Sequence, residues 1–238
     1  MLWFVILSGI TRTSPLRQTY FLRADTSNMG GGARAISQWT YFAVCGDGNT
    51  DCGPARPALP LGDAWGATRD AEGVPAELMG GHGDGTTSTY YWYMWRFGWV
   101  FYLIALVFEV LAFGAGFLAC CSRLGAALAG LVSVVALVFL SVAVSLMTAT
   151  FVQMRNVFAR EGREASIGTY AFGFSWGAWA ALFISTVILC LATRKRKDGA
   201  AAMTARPSRV GWPWIRRRKS TTANGNPYDG RRVKEEYA

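Results

Sequence analysis

The second half of the chain alternates long uncharged apolar runs with short polar breaks. Between Arg96 and Arg123 the only charged residue is Glu109. Between Arg123 and Arg155, and again between Glu164 and Arg194, there is none. Each run exceeds the roughly 20 apolar residues with which an α-helix crosses a bilayer core. The pattern predicts membrane spans over 97–121, 124–150 and 170–193. Residues 1–10, Met-Leu-Trp-Phe-Val-Ile-Leu-Ser-Gly-Ile, are apolar but too short to span. They have no basic n-region and no clear cleavage site, so they make a poor signal peptide and read as the outer end of an incomplete first span. A three-span chain is the other reading. The expected class is an all-α transmembrane bundle.

The polar segments divide differently. Segment 11–96 mixes β-like runs, Gln18 to Leu22 and Ile36 to Val44, with flexible breaks at Gly30-Gly31-Gly32 and Gly80 to Gly85. Segment 151–169 is a short loop, and 194–238 is a polar tail. Aromatic clusters open the second span (Tyr90, Tyr91, Trp92, Tyr93, Trp95, Phe97, Trp99) and the fourth (Tyr170, Phe172, Phe174, Trp176, Trp179). Amphipathic rings settle at membrane interfaces, so both clusters are expected there, at the outer face.

Charge supplies the orientation. Residues 193–238 hold thirteen of the 24 Lys/Arg and four of the 15 Asp/Glu, so the whole net charge of +9 lies in the tail. Basic residues flanking a span stay in the cytoplasm, and Arg194-Lys195-Arg196-Lys197 follow the last span directly. The C-terminus and the Cys121-Ser122-Arg123 turn are then inside, and 11–96 and 151–169 outside. A second basic run, Arg216-Arg217-Arg218-Lys219, lies beside Trp212-Pro213-Trp214-Ile215. Such a run binds anionic inner-leaflet lipids at roughly 1 kcal/mol per basic residue near the surface. A solvated tail that only fixes topology is the alternative. With spans present, the run does not point to nucleic acid.

Candidate chemistry is sparse. His82 is the only histidine, so there is no His-based metal cluster and no Ser-His triad. Phosphate loops and nucleotide fingerprints are absent. No cofactor and no catalytic residue is expected. Asp47-Gly48-Asn49-Thr50-Asp51 opens like a calcium loop, but Cys52 stands where glycine is needed and Ala58 where a bidentate acid belongs. A turn built from turn-formers is the better reading. It joins Cys45 to Cys52, which in an oxidising compartment suggest a disulfide; two free thiols are the alternative. Cys120, Cys121 and Cys190 lie at inner helix ends, a position that suits S-palmitoylation and also plain apolar packing. Glu109 lies mid-span, where an ionisable group costs roughly 2.5–3.5 kcal/mol and faces protein interior. It is read as an ion or partner site, or as a protonated carboxyl bonded to Ser133 or Ser141. Gly173 and Gly177 form a GxxxG, a spacing that lets helix backbones approach.

The segment Trp39-Thr40-Tyr41-Phe42-Ala43-Val44-Cys45, followed by Gly46 to Asp51 and Cys52-Gly53-Pro54, resembles the loop signature of the fungal Sur-seven/PalI family. Pro57-Ala58-Leu59-Pro60-Leu61 and the order of long loop, paired spans, short loop and polar tail are similar too, over about residues 3–195. The resemblance implies a claudin-like four-helix bundle with a small disulfide-linked extracellular β element. Trp39, Tyr41, Cys45 and Cys52 would carry the loop signature. It also implies a multi-pass plasma-membrane protein in cortical patches (eisosomes), acting on membrane organisation, endocytosis and cell-wall assembly. Its partners would be the bilayer, other cortical membrane proteins and further copies of itself. A PalI-type accessory role in ambient-pH signalling is the alternative.

Overall fold

The computed structural model describes residues 1–204 apart from 12, 31–32, 67–71 and 122; side chains are described as far as 191, except those of 118–121 and 123–124. By its internal contacts the chain divides into Met1–Lys197 and Asp198–Ala238.

Among the described residues three helices are long and apolar enough to cross a membrane: α2 (Thr89–Cys121), α3 (Arg123–Arg160) and α4 (Thr169–Thr204). The first apolar stretch forms a five-residue helix, α1 (Leu2–Ile6). Small side chains let α2 and α3 pack most closely. Ala105, Ala136 and Ala143 are fully buried, and a Cβ on Gly98 would stand 3.2 Å from the Met147 sulfur. In a lipid solvent such close approach replaces the hydrophobic effect as the source of helix association. α4 meets this pair through longer side chains. Tyr102 bonds Ser175, and Trp179 Nε1 donates to Ser141 Oγ at 2.7 Å.

Four short strands make one antiparallel sheet in the order β3-β2-β1-β4: β1 (Leu22–Asp25), β2 (Ile36–Trp39), β3 (Val44–Cys45) and β4 (Ala165–Ile167). Leu22 pairs with Trp39 on one side and with Ile167 on the other. The run Ile36 to Val44 is therefore not one strand. Thr40 breaks it, its hydroxyl donating to the Ala43 carbonyl at 2.7 Å and accepting from the Ala43 N–H, which folds β2 back onto β3. β1 starts at the end of the expected Gln18–Leu22 run, because Leu16–Gln18 form a 3-10 turn. β4 comes from the segment read as a plain loop, so both long connections contribute to one sheet.

The helices also run further than the expected spans. α2 starts at Thr89 and α3 ends at Arg160, and these extra turns support the sheet. Phe151, Met154, Val157 and Phe158 of α3 are buried there. Phe21 joins the parts. Its ring stacks on Phe151 at 5.0 Å and stands edge-on to Trp95 of α2 (6.1 Å) and Phe172 of α4 (5.7 Å).

Candidate functional site: the sheet module and its helix supports

Cys45 and Cys52 form a disulfide, with Cα atoms 3.9 Å apart. The loop it closes turns through left-handed backbone at Gly48, Asn49 and Asp51, conformations that Gly, Asn and Asp tolerate best. Asn49 is buried and holds the preceding chain, its Nδ2 donating to the carbonyls of Leu16 and Thr19 at 2.9 Å. The acids flanking it are committed to arginines, Asp47 to Arg23 at 3.0 Å and Asp51 to Arg34 at 3.1 Å. The Asp47 bond raises the Arg23 pKa above its ordinary value. No group of three His, Cys, Asp or Glu side chains converges among the described residues.

The signature aromatics act as clamps. Trp39 is buried against Trp65 and Phe158, and its Nε1 donates to the Leu61 carbonyl at 3.1 Å. Trp95 of α2 donates to the Leu59 carbonyl at 2.9 Å. Two indoles, one from the sheet and one from a helix, thus hold the Leu59–Leu61 segment. Tyr41 and Trp99 bond reciprocally. Tyr41 Oη donates to the Trp99 carbonyl at 2.7 Å, Trp99 Nε1 donates to the Tyr41 carbonyl at 3.2 Å, and the rings stack at 5.3 Å. Burial pushes the Tyr41 phenol well above its ordinary pKa.

The aromatic cluster opening α2 is accordingly split by helix face. Tyr91, Trp95, Trp99 and Tyr102 recur at near-helical spacing and point into the protein, whereas Tyr90, Tyr93 and Phe97 are exposed. Reading the whole cluster as an interfacial belt missed the inward half, which carries the module. The missed signal was the i, i+4, i+8 spacing of Tyr91, Trp95 and Trp99.

The segment after α3 is stitched to the first one. Arg163 donates to the carbonyls of Ser27 (2.8 Å) and Gly73 (3.0 Å), and Arg160 pairs with Glu77 at 2.7 Å. Asp25 N–H donates to the Glu164 carbonyl and Gly168 N–H to that of Phe21. The hydroxyl and amide of Ser27 hold the Asp25 carboxyl below its usual range, and burial pushes Asp63 above it, partly opposed by Arg56.

The remaining sequence candidates lie apart from the module. Glu109 lines a cavity of about 530 Å³ with Met1, Trp3, Ser133 and Ser185. Among the described residues no hydrogen bond joins Glu109 to either candidate serine; Ser133 donates to the Ala129 carbonyl and Ser141 to that of Leu137. Of the GxxxG pair, a Cβ on Gly177 would meet the Met1 sulfur at 3.3 Å, and one on Gly173 would meet nothing within 4 Å. Cys190 is exposed. The side chains of Cys120, Cys121, Arg194, Lys195, Arg196 and Lys197, and the whole run Arg216, Arg217, Arg218 and Lys219, lie outside the described residues.

Residues 1–188 match the SUR7/PalI family. Among curated proteins, the chain is 35% identical over 196 residues to Protein SUR7 of Candida albicans, covering 81% of this chain and 69% of that one. It is 32% identical to the SUR7 family protein FMP45 of Saccharomyces cerevisiae (77% and 62% covered). It is 28% identical to a protein of the same yeast named as an uncharacterised plasma membrane protein (82% and 65% covered). The chain thus spans roughly two thirds of the length of these relatives. No solved structure matches it. A match over most of the chain, three helices long and apolar enough to cross a membrane and the disulfide-closed signature loop agree: the chain belongs to the SUR7/PalI family of membrane proteins.

Proposed function

We propose that this chain is a non-enzymatic organiser of a plasma-membrane domain of the cortical, eisosome type, with a claudin-like four-span fold. One observation carries the reading. Both long connections are folded into a single disulfide-closed sheet module fixed to the ends of α2 and α3, and the side chains of Trp39, Asn49 and Arg163 are spent on holding backbone carbonyls. Such a module suits a stable lateral contact more than turnover. The plasma-membrane assignment of a relative supports the location. In this reading the sheet faces outward and the basic tail holds the anionic inner leaflet. Inner cysteines are lipidated, and lateral neighbours are cortical proteins or further copies. The consequences would reach endocytosis and cell-wall assembly.

Deletion of the gene tests this against the pH-signalling alternative. The organiser reading expects disturbed cortical patches and wall with normal growth at alkaline pH. Intact patches with failed alkaline growth would overturn it.

A further inference from the structure

At the sheet end of the α2–α3 pair lies a cavity of about 490 Å³ lined by Glu77, Tyr91, Gln153, Asn156 and Arg160. Glu77 comes from the connection ahead of α2, Tyr91 from the first turn of α2, and the other three from the end of α3. Arg160 bridges the cavity to Glu77. Its Nε also reaches the Asn156 carbonyl at 3.4 Å. The Tyr91 hydroxyl and the side-chain amides of Gln153 and Asn156 have no hydrogen-bond partner among the described residues. Elsewhere the module commits most of its polar groups to backbone, to one another or to ion pairs, with Asn49 Oδ1 and Trp65 Nε1 as isolated buried exceptions. Here an ion pair and three uncommitted polar groups share one concavity.

The depth of this cavity restricts the ligand. The uncharged run of α3 ends just before Arg155. At 1.5 Å per residue, Gln153 stands about 1.5 Å and Arg160 about 12 Å beyond Val152, where the apolar stretch closes. The polar layer adds roughly 5–8 Å to each side of the hydrocarbon core, so a hydrocarbon boundary at Val152 would put the lower half of the cavity at headgroup depth. Exposed apolar side chains on the same two helices, Phe97 and Val142 among them, offer acyl chains a surface.

The charges restrict it further. An anionic headgroup would take Arg160 but leave the Glu77 carboxylate facing like charge. A zwitterion can exchange the Arg160–Glu77 pair for two new ones, with its phosphate on Arg160 and the two amides and its ammonium on Glu77. A quaternary ammonium has no N–H to donate, so a primary ammonium fits best. We infer that this cavity binds the phosphoethanolamine headgroup of a phospholipid in the leaflet on the sheet side.

Native mass spectrometry of the purified full chain, offered an equal mixture of phosphatidylethanolamine, phosphatidylcholine and phosphatidylglycerol, tests the inference. The expected result is a retained phosphatidylethanolamine adduct. The paired change Gln153→Ala and Asn156→Ala leaves the ion pair in place and should weaken retention about tenfold or more, two hydrogen bonds at about 1 kcal/mol each. Glu77→Gln should cut phosphatidylethanolamine down to the level of phosphatidylcholine. Arg155→Gln, an exposed change outside the cavity, should alter neither. Monodisperse elution with the disulfide intact would show that each variant folds. Equal retention of the three lipids, a preference for phosphatidylglycerol, or an unaffected double variant would overturn the site. Soluble glycerophosphoethanolamine binding as tightly as the lipid would overturn its membrane source.

Discussion

Trp95→Phe removes one N–H and leaves the ring site filled, so its cost can be worked from the structure. The indole N–H donates at 2.9 Å to the Leu59 carbonyl, and no other donor among the described residues reaches that oxygen. Leu59 and Trp95 are both buried, so water does not replace the lost bond. An orphaned buried carbonyl costs about 1–3 kcal/mol. The smaller ring also gives up part of the apolar contact with Phe21 and Phe151, about 1 kcal/mol. The sum is about 2–4 kcal/mol, acting on the clamp between α2 and the connection that precedes it. The same substitution at Trp176, 42% exposed on α4, should stay within about 0.5 kcal/mol. Urea titration of both variants in one detergent, read by pulse proteolysis, would compare them. Equal stabilities for Trp95→Phe and Trp176→Phe would refute the clamp.

Other perturbations separate the parts of the module. Gly168→Ala would set its Cβ on the Tyr20 carbonyl oxygen and should dislodge β4, whereas Gly173→Ala meets open space; amide hydrogen exchange at Leu22 to Asp25 should rise only in the first. Removing the Cys45–Cys52 bridge should cost about 2.5 kcal/mol from loop closure alone and reduce surface delivery, checked by surface biotinylation of Cys45→Ser and Cys52→Ser. Phe21→Ala should cost about 3–5 kcal/mol, because its ring touches all three long helices; the same urea titration reads it. Asp63 has a raised folded-state pKa, so its protonated form favours folding, and that stability is lost as pH rises through the folded pKa. Asp63→Asn should therefore gain stability over the parent at about pH 7 and lose that advantage by about pH 4, measured as thermal midpoints.

How much of this was legible beforehand depends on the physics behind each signal. Charge gaps exposed the membrane helices because the bilayer excludes charge over a fixed length. They gave poorer helix ends, because the extra turns before Phe97 and after Thr150 pack against the module through Tyr91, Trp95, Met154 and Phe158, which a charge gap does not record. The disulfide followed from two closely spaced cysteines that the charge pattern places in the oxidising outer compartment. β4 did not, since three residues are too few to show a period and their partners lie more than a hundred positions away. Trp39 and Tyr41 were visible through the family resemblance, but their clamping partners Trp95 and Trp99 were hidden in an aromatic-rich helix start where every ring looks alike. Phe21 showed only as one ring of the β-like run Gln18 to Leu22; its joining role exists only once α2, α3 and α4 converge on it.

Photobleaching of the C-terminally fluorescent-tagged chain at the cortex of living yeast cells tests the organiser proposal most directly. Immobile patches with slow recovery are the expected result. A diffuse cortical signal that recovers rapidly, or recruitment only in the presence of a pH receptor, would contradict it.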